Sequence, residues 1–131
     1  FVHEARKRGI TFDVGYGGIS FAFSQAIPAI KEGFYPDAIS TDIHIGSMNA
    51  AMKDMLTVMD KFLAMGMPLN AVIEAATWKP AQLIKRTELG NLSVGAPADI
   101  AVLGMRQGNF GFFDYIGHRI TSQQRLECEV R

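Results

Sequence analysis

Residues 10–18 read ITFDVGYGG and residues 38–42 read AISTD. Short strands are predicted at Ile10–Val14 and Ala38–Asp42, because both runs are rich in β-branched and apolar side chains. The first strand leads into a glycine-rich loop, and the second ends on an acidic residue. A helix is predicted between them, at about Ser24–Glu32, where apolar side chains recur at helical spacing. The order strand, helix, strand favours a parallel βαβ unit.

Helices are predicted on both sides of this unit. Residues 2–8 are typical of the end of a helix that Gly9 terminates. A longer helix is predicted at Asn49–Ala64, and shorter ones at Leu69–Ala76 and Pro80–Lys85. The long helix has an apolar stripe, which we assign to core packing, and a separate polar stripe. The apolar stripe consists of Met48, Met52, Met55, Met59 and Phe62, and the polar stripe of Lys53, Thr57, Asp60 and Lys61.

The composition changes near residue 88, where a turn-rich segment begins. We therefore predict two parts, residues 1–88 with the strand–helix units and residues 89–131 with β structure. Strands are predicted in the second part at Asp99–Leu103, which we expect to be buried, and at Phe110–Tyr115 and Arg125–Val130. Two parallel strands do not form a sheet that stands alone. A (β/α)8 barrel needs about 250 residues and collects its active site at the carboxyl ends of its strands.

Composition limits the class of protein. The chain has 131 residues, 48% of them hydrophobic and 20% charged, which indicates a folded domain. Thirteen basic residues balance thirteen acidic ones, so a basic surface for nucleic acid is not expected. No apolar run approaches the roughly 20 residues that span a membrane, and Cys128 is the single cysteine. We predict a soluble, cytoplasmic protein, and the missing initial Met suggests that the chain is part of a longer one.

Three segments, RGITFDVGYGG, PDAISTDIH and LGNLSVGAPADIAVL, carry a family resemblance in their order and spacing. They resemble the C-terminal portion of the amidohydrolase superfamily of metal-dependent hydrolases, and in particular its dihydroorotase-like branch of deacetylases and amidohydrolases. The resemblance covers about residues 2–130. It implies that residues 1–88 are the last two strand–helix units of a (β/α)8 TIM barrel and that residues 89–131 are part of a small β-sandwich domain.

The resemblance also implies a site and a cofactor. Asp42 matches the family's last-strand aspartate, which would bind a metal and accept the proton of the attacking water. His44 and the loop residues Tyr16 and Gly17 would contact the substrate, a small-molecule amide or cyclic amide. The loop reads GYG where this branch tends to read GHG. The cofactor would be one or two divalent metals, usually zinc, which lower the pKa of bound water to about 7.

The chain supplies too few ligands for such a metal by itself. A zinc site needs about three or four protein ligands, and the family's histidine ligands have no counterpart among His3, His44 and His118. We therefore expect the isolated chain to be inactive and to hold little metal. Its partner would be the remainder of the barrel or a second copy of the chain.

Other interpretations stay open for each of these features. Asp42 could be a turn aspartate that binds backbone N–H groups, His44 an exposed loop histidine, and Asp13 a structural residue. The whole chain could be a non-catalytic structural or interaction module derived from the same fold. The glycines at 15–18 could instead bind phosphate, although they lack the G-x-G-x-x-G spacing of nucleotide-binding loops.

Overall fold

The computed structural model describes residues 1–17, 19–47 and 53–130. Within these ranges the elements are, in chain order, α1 (Val2–Lys7), β1 (Asp13–Gly15), α2 (Phe23–Lys31), β2 (Ala38–Ser40), α3 (Met55–Ala64), α4 (Leu69–Ala76), α5 (Trp78–Leu83), β3 (Val102–Phe113) and β4 (Arg119–Val130). None of the described helices is long and apolar enough to cross a membrane.

The strands β1 and β2 pair in parallel and are joined by α2, as the sequence predicts. The pairing extends over three residues, from Asp13 opposite Ala38 to Gly15 opposite Ser40. Both predicted strands were therefore too long. The first was predicted to begin at Ile10, before the pairing starts, and the second to end at Asp42, after the pairing stops. Beyond Ser40 the backbone leaves the extended conformation, and Asp42 has a positive φ of 46°. Continued strand pairing is incompatible with this conformation.

The helix α3 begins later than predicted. Asp54 precedes its first turn and accepts a hydrogen bond from Thr57 N at 2.8 Å, so this carboxylate caps the helix. Lys53 accordingly lies outside the helix, and the predicted residues 48–52 lie outside the described part of the chain. The apolar stripe packs in the core as expected where it is described, since Met59 and Phe62 are buried and Met55 packs against them.

The other helices agree more closely with the sequence. The bounds of α4 are those predicted, whereas α5 begins two residues before Pro80. The helix α2 begins at Phe23, one residue earlier than expected, and Ala22 at its N-cap offers no side-chain hydrogen bond. The Asp114 carboxylate supplies that bond instead, because its Oδ2 accepts from Phe23 N at 3.0 Å.

The last part of the chain forms one long antiparallel hairpin instead of three separate strands. In β3 and β4, Val102 pairs with Val130 and Phe113 with Arg119. The predicted strands at Phe110–Tyr115 and Arg125–Val130 overlap the ends of β3 and β4, and a register shift lies between Gln107 and Phe110. The prediction of a buried strand at 99–103 was wrong, since residues 99–101 are exposed and precede β3.

The hairpin packs on the same core as the helices. Phe112 and Leu126 belong to the buried cluster that contains Phe21, Val58 and Phe62. A division of the chain at residue 88 stays a prediction.

Candidate active site at the carboxyl ends of the parallel strands

Asp42 lies two residues beyond β2, in the turn where the strand ends, and its side chain is exposed. The loop that follows β1 lies directly against it. A Cβ atom added to Gly15 would be 3.0 Å from the Asp42 Cβ, and one added to Gly17 would overlap the Asp42 Oδ2. Glycine at both positions therefore leaves room for the carboxylate. The structure thus brings together Asp42 and Gly17, two of the four predicted site residues.

His44 belongs to the same turn as Asp42. Its imidazole is exposed, and Nδ1 accepts a hydrogen bond from Gly46 N at 3.1 Å. In the neutral ring the proton is then on Nε2, which can donate to another group. The buried side chain of Ser47 holds the turn closed, because its Oγ accepts from His44 N at 2.9 Å and lies 3.4 Å from Asp42 O. The turn thus has a fixed shape with two exposed polar side chains.

Tyr16 differs from the other three, because its side chain lies in the core and is only 1% exposed. Its hydroxyl donates to Phe113 O at 2.5 Å. Burial, followed by the negative charge of Asp114, raises the pKa of Tyr16 to about 12. The prediction that this side chain contacts substrate stays untested, and such a contact would require the phenol to give up its bond to the hairpin.

Asp13, at the start of β1, has a partner within the sheet. Its Oδ2 accepts a hydrogen bond from the hydroxyl of Ser40 at 3.0 Å. This bond joins β1 to the end of β2 and supports the structural interpretation of Asp13.

Metal ligands are sparse in this part of the fold. Among residues 1–17, 19–47 and 53–130, no group of three or more His, Cys, Asp or Glu side chains could hold a metal ion. An exposed carboxylate such as that of Asp42 suits a divalent cation as one ligand of several. The described residues by themselves therefore fit one ligand of a metal site and not a complete site.

Two buried ionisable residues of α3 were missed by the sequence analysis, which placed them on the polar stripe of the helix. Asp60 is 5% exposed and Lys61 is 1% exposed. Burial raises the pKa of Asp60 to about 6 against the opposing effects of the Leu126 N–H and of Arg125. Burial lowers the pKa of Lys61 to about 7, and Asp114 opposes this shift. No local sequence signal distinguishes them, because Asp60 is covered through its bond to Leu126 of β4 and Lys61 by the Tyr16 ring.

Comparison with known proteins identifies relatives of the chain. The sequence model of the Amidohydrolase family matches residues 23–117. A deacetylase from Brucella anthropi is 45% identical over 97 residues, which make up 74% of this chain and 24% of the deacetylase.

Solved structures give the same relationship. The crystal structure of an adenine deaminase matches with a TM-score of 0.90 and 30% identity, over 96% of this chain and 34% of that one. The crystal structure of a dihydroorotase matches with a TM-score of 0.85 and 37% identity, over 95% of this chain and 34% of that one. The chain thus spans about a quarter to a third of the length of these relatives.

These matches bear on the predicted barrel. A parallel βαβ unit within such relatives is consistent with a piece of a (β/α)8 barrel, although the described residues contain two separate two-stranded sheets and no closed barrel. The family model covers more than half of the chain and includes Asp42 and His44. The chain belongs to the Amidohydrolase family.

Proposed function

We propose that the complete protein containing this chain hydrolyses a C–N bond in a small molecule and that Asp42 is a catalytic carboxylate of that reaction. The observation that carries the proposal is the position of Asp42, exposed beyond a parallel strand and held against Gly15 and Gly17 in a chain of this family. The names of the relatives, deacetylase, adenine deaminase and dihydroorotase, supply the class of bond.

Asp42 would have two roles, as a metal ligand and as a proton acceptor. With ligands from outside the described residues, it would hold one of one or two divalent cations, for which zinc is our first candidate. The chemistry that such a cation supplies when bound is the activation of a water molecule, which then loses a proton near neutral pH. The Asp42 carboxylate would accept this proton and pass it to the leaving nitrogen. Because Asp42 is exposed, its carboxylate is accessible to the water molecule and to the leaving nitrogen.

His44 and Gly17 would contribute to substrate binding. The Nε2 of His44 is left as a donor by the Gly46 hydrogen bond, and a donor suits a carbonyl or carboxylate oxygen of an amide substrate. Gly17 would let the substrate approach the backbone beside Asp42. Tyr16 would act through its backbone in the same loop, since its side chain is buried.

The rest of the active site would come from the remaining strands of a (β/α)8 barrel. We propose that residues 1–88 are its last two strand–helix units and that residues 89–131 belong to a small β-sandwich domain. The missing strands would lie in the remainder of the same protein. A cytoplasmic location is part of the proposal and rests on the single cysteine, which cannot form a disulfide within the chain.

The test uses the complete protein and three probes chosen from the relatives: an N-acetylated amino acid, adenine and dihydroorotate. Release of acetate, release of ammonia and ring opening are the respective readouts. For any probe that is hydrolysed, we expect Asp42→Asn to lower kcat by about 10²- to 10⁴-fold, because an amide cannot accept the proton. The melting temperature should change little.

The matched control is Asp13→Asn at the other strand. We expect kcat to stay within a few-fold of the wild type, because an amide oxygen can still accept the bond from Ser40. If Asp42→Asn keeps wild-type activity, the result supports the alternative interpretation of Asp42 as a structural turn residue. Inactivity of the wild type toward all three probes would favour a non-catalytic module.

A further inference from the structure

The loop between β1 and α2, together with the first residue of α2, is tied to the end of β3 and the turn of the distant hairpin by three hydrogen bonds. The hydroxyl of Tyr16 donates to Phe113 O at 2.5 Å, and Tyr115 N donates to Phe21 O at 3.3 Å. The third is the bond from Phe23 N to the Asp114 carboxylate at 3.0 Å. These contacts join residues more than 90 positions apart, so the loop and the hairpin turn form one connected structure.

The hairpin turn itself is held by Asp114. This carboxylate is 2% exposed and also accepts from Ile116 N at 3.1 Å and from His118 N at 2.8 Å. Together with the bond from Phe23 these contacts use both of its oxygens. Buried carboxylates that accept several backbone N–H groups fix the geometry around them. The turn is therefore a firm support for the loop that Tyr16 bonds to it.

The Tyr16 ring is confined on several sides. The Nζ of Lys61 lies 3.4 Å from its centroid, and the centroid of Phe21 lies 5.0 Å away. At neutral pH the phenol keeps its proton, since burial raises its pKa to about 12. It is thus a permanent donor to Phe113 O, and the ring has little freedom to move without breaking that bond.

The backbone of Tyr16 links the loop to the neighbouring strand β2. Its N–H donates to Ser40 O at 3.1 Å, at the end of β2. Its two neighbours, Gly15 and Gly17, are the residues that lie against the Asp42 side chain. A displacement of Tyr16 therefore moves the backbone in contact with the carboxylate.

We infer that Tyr16 is a positioning residue, which fixes the Asp42 carboxylate by holding the glycine backbone beside it to the turn of the C-terminal hairpin. This inference rests on the proposed function, because it assigns Asp42 a role in catalysis. It also gives the hairpin a part in the reaction, although no hairpin residue needs to touch the substrate. The substitution that isolates this role is Tyr16→Phe, which removes the hydroxyl and keeps the ring.

The first measurement does not depend on activity. Hydrogen exchange of the complete protein, read by mass spectrometry on peptides that cover residues 13–21, should become at least several-fold faster in Tyr16→Phe. Peptides that cover α4 should exchange as in the wild type. Tyr115→Phe is the matched control, because its side chain is exposed on the same turn, and we expect it to leave exchange and activity unchanged. Unchanged exchange in Tyr16→Phe would overturn the inference.

The second measurement is a double-mutant cycle of Tyr16→Phe with Asp42→Asn. We expect Tyr16→Phe to lower kcat about tenfold in the wild-type background, since a misplacement of about 1 Å can cost about 100-fold. With Asp42→Asn already present, the further loss should be less than twofold, because the group being positioned is gone. A general loss of structure would lower kcat by the same factor in both backgrounds, and this result would refute positioning.

The cycle separates the two ideas. If Asp42→Asn loses activity but Tyr16→Phe does not, the positioning role fails and the proposed function stands. If Asp42→Asn keeps full activity, the proposed function fails first. Should Tyr16→Phe not fold, Asp114→Asn perturbs the same turn from the other side, and the same pattern of losses is expected from it.

Discussion

The buried carboxylate of Asp60 gives the protein a pH dependence of stability that one substitution should remove. The side chain lies between α3 and β4, and its Oδ1 accepts a hydrogen bond from Leu126 N at 2.7 Å. Burial raises its pKa from 3.8 to about 6; the Leu126 bond and Arg125 act against the shift, and Asp54 and Glu127 act with it. The folded state therefore binds the proton more tightly than the unfolded state does.

The sign and size of the effect follow from this shift. A carboxyl group whose pKa is raised on folding contributes its full stability below pH 3.8, and this contribution is lost as the pH rises through about 6. A difference of about two pH units corresponds to about 3 kcal/mol. The wild type should lose this amount between about pH 3.5 and 7 relative to Asp60→Asn, which has no charge to bury and retains an oxygen for Leu126.

The measurement is the free energy of unfolding of the complete protein by chemical denaturation at several pH values. Only the change with pH of the difference between wild type and Asp60→Asn is used, because the amide also has a constant cost. Asp99→Asn, at an exposed carboxylate, is the control and should show no such change. If the difference between wild type and Asp60→Asn is the same at pH 4 and pH 7, the argument from burial is refuted.

Three further outcomes are expected. Gly17→Ala should lower the activity of the complete protein at least tenfold, because the added Cβ would overlap the Asp42 Oδ2. The control is Gly33→Ala, which also has a positive φ but lies in open space and should keep its activity. Equal losses of kcat in the two variants would contradict this reasoning. Elemental analysis should find well under one equivalent of zinc in the isolated 131-residue chain and one or two in the complete protein, and stoichiometric zinc in the isolated chain would disprove the shared site. Size-exclusion chromatography with light scattering should show the isolated chain as a dimer or larger assembly. Within the described residues β1 and β2 pair only with each other, which leaves one edge of each strand for another chain. A sharp monomer of 14.4 kDa with cooperative unfolding would count against this.

Local patterns in the sequence were sufficient for some elements of this fold. The helix α4 has the predicted bounds, and the order of β1, α2 and β2 follows from apolar runs separated by glycine and proline. The closeness of Asp42 to the loop after β1 follows from the parallel arrangement, which places both strand ends at one edge. These features depend on neighbours in the sequence or on a general rule of topology.

The remaining features depend on contacts between distant parts of the chain. Asp60 and Lys61 lie on the polar side of a helical pattern, but Asp60 is bonded to Leu126 of β4 and Lys61 lies over the Tyr16 ring. Tyr16 resembles a loop residue until Phe113, 97 positions later, provides its acceptor. No local pattern indicates either pairing. The misassignment of Asp60, Lys61 and Tyr16 therefore arises where the C-terminal hairpin and the loop after β1 meet α3.

The cap of α2 has a consequence for the order of events during synthesis. Its first N–H is bonded to a carboxylate that is made 91 residues later. At about 5–20 residues per second, a ribosome takes roughly 5–20 s to add that length of chain. During this interval Phe23 has only water as a partner, and the start of the helix frays. A nascent chain released before Asp114 would keep that frayed end permanently, however well its earlier segments had folded.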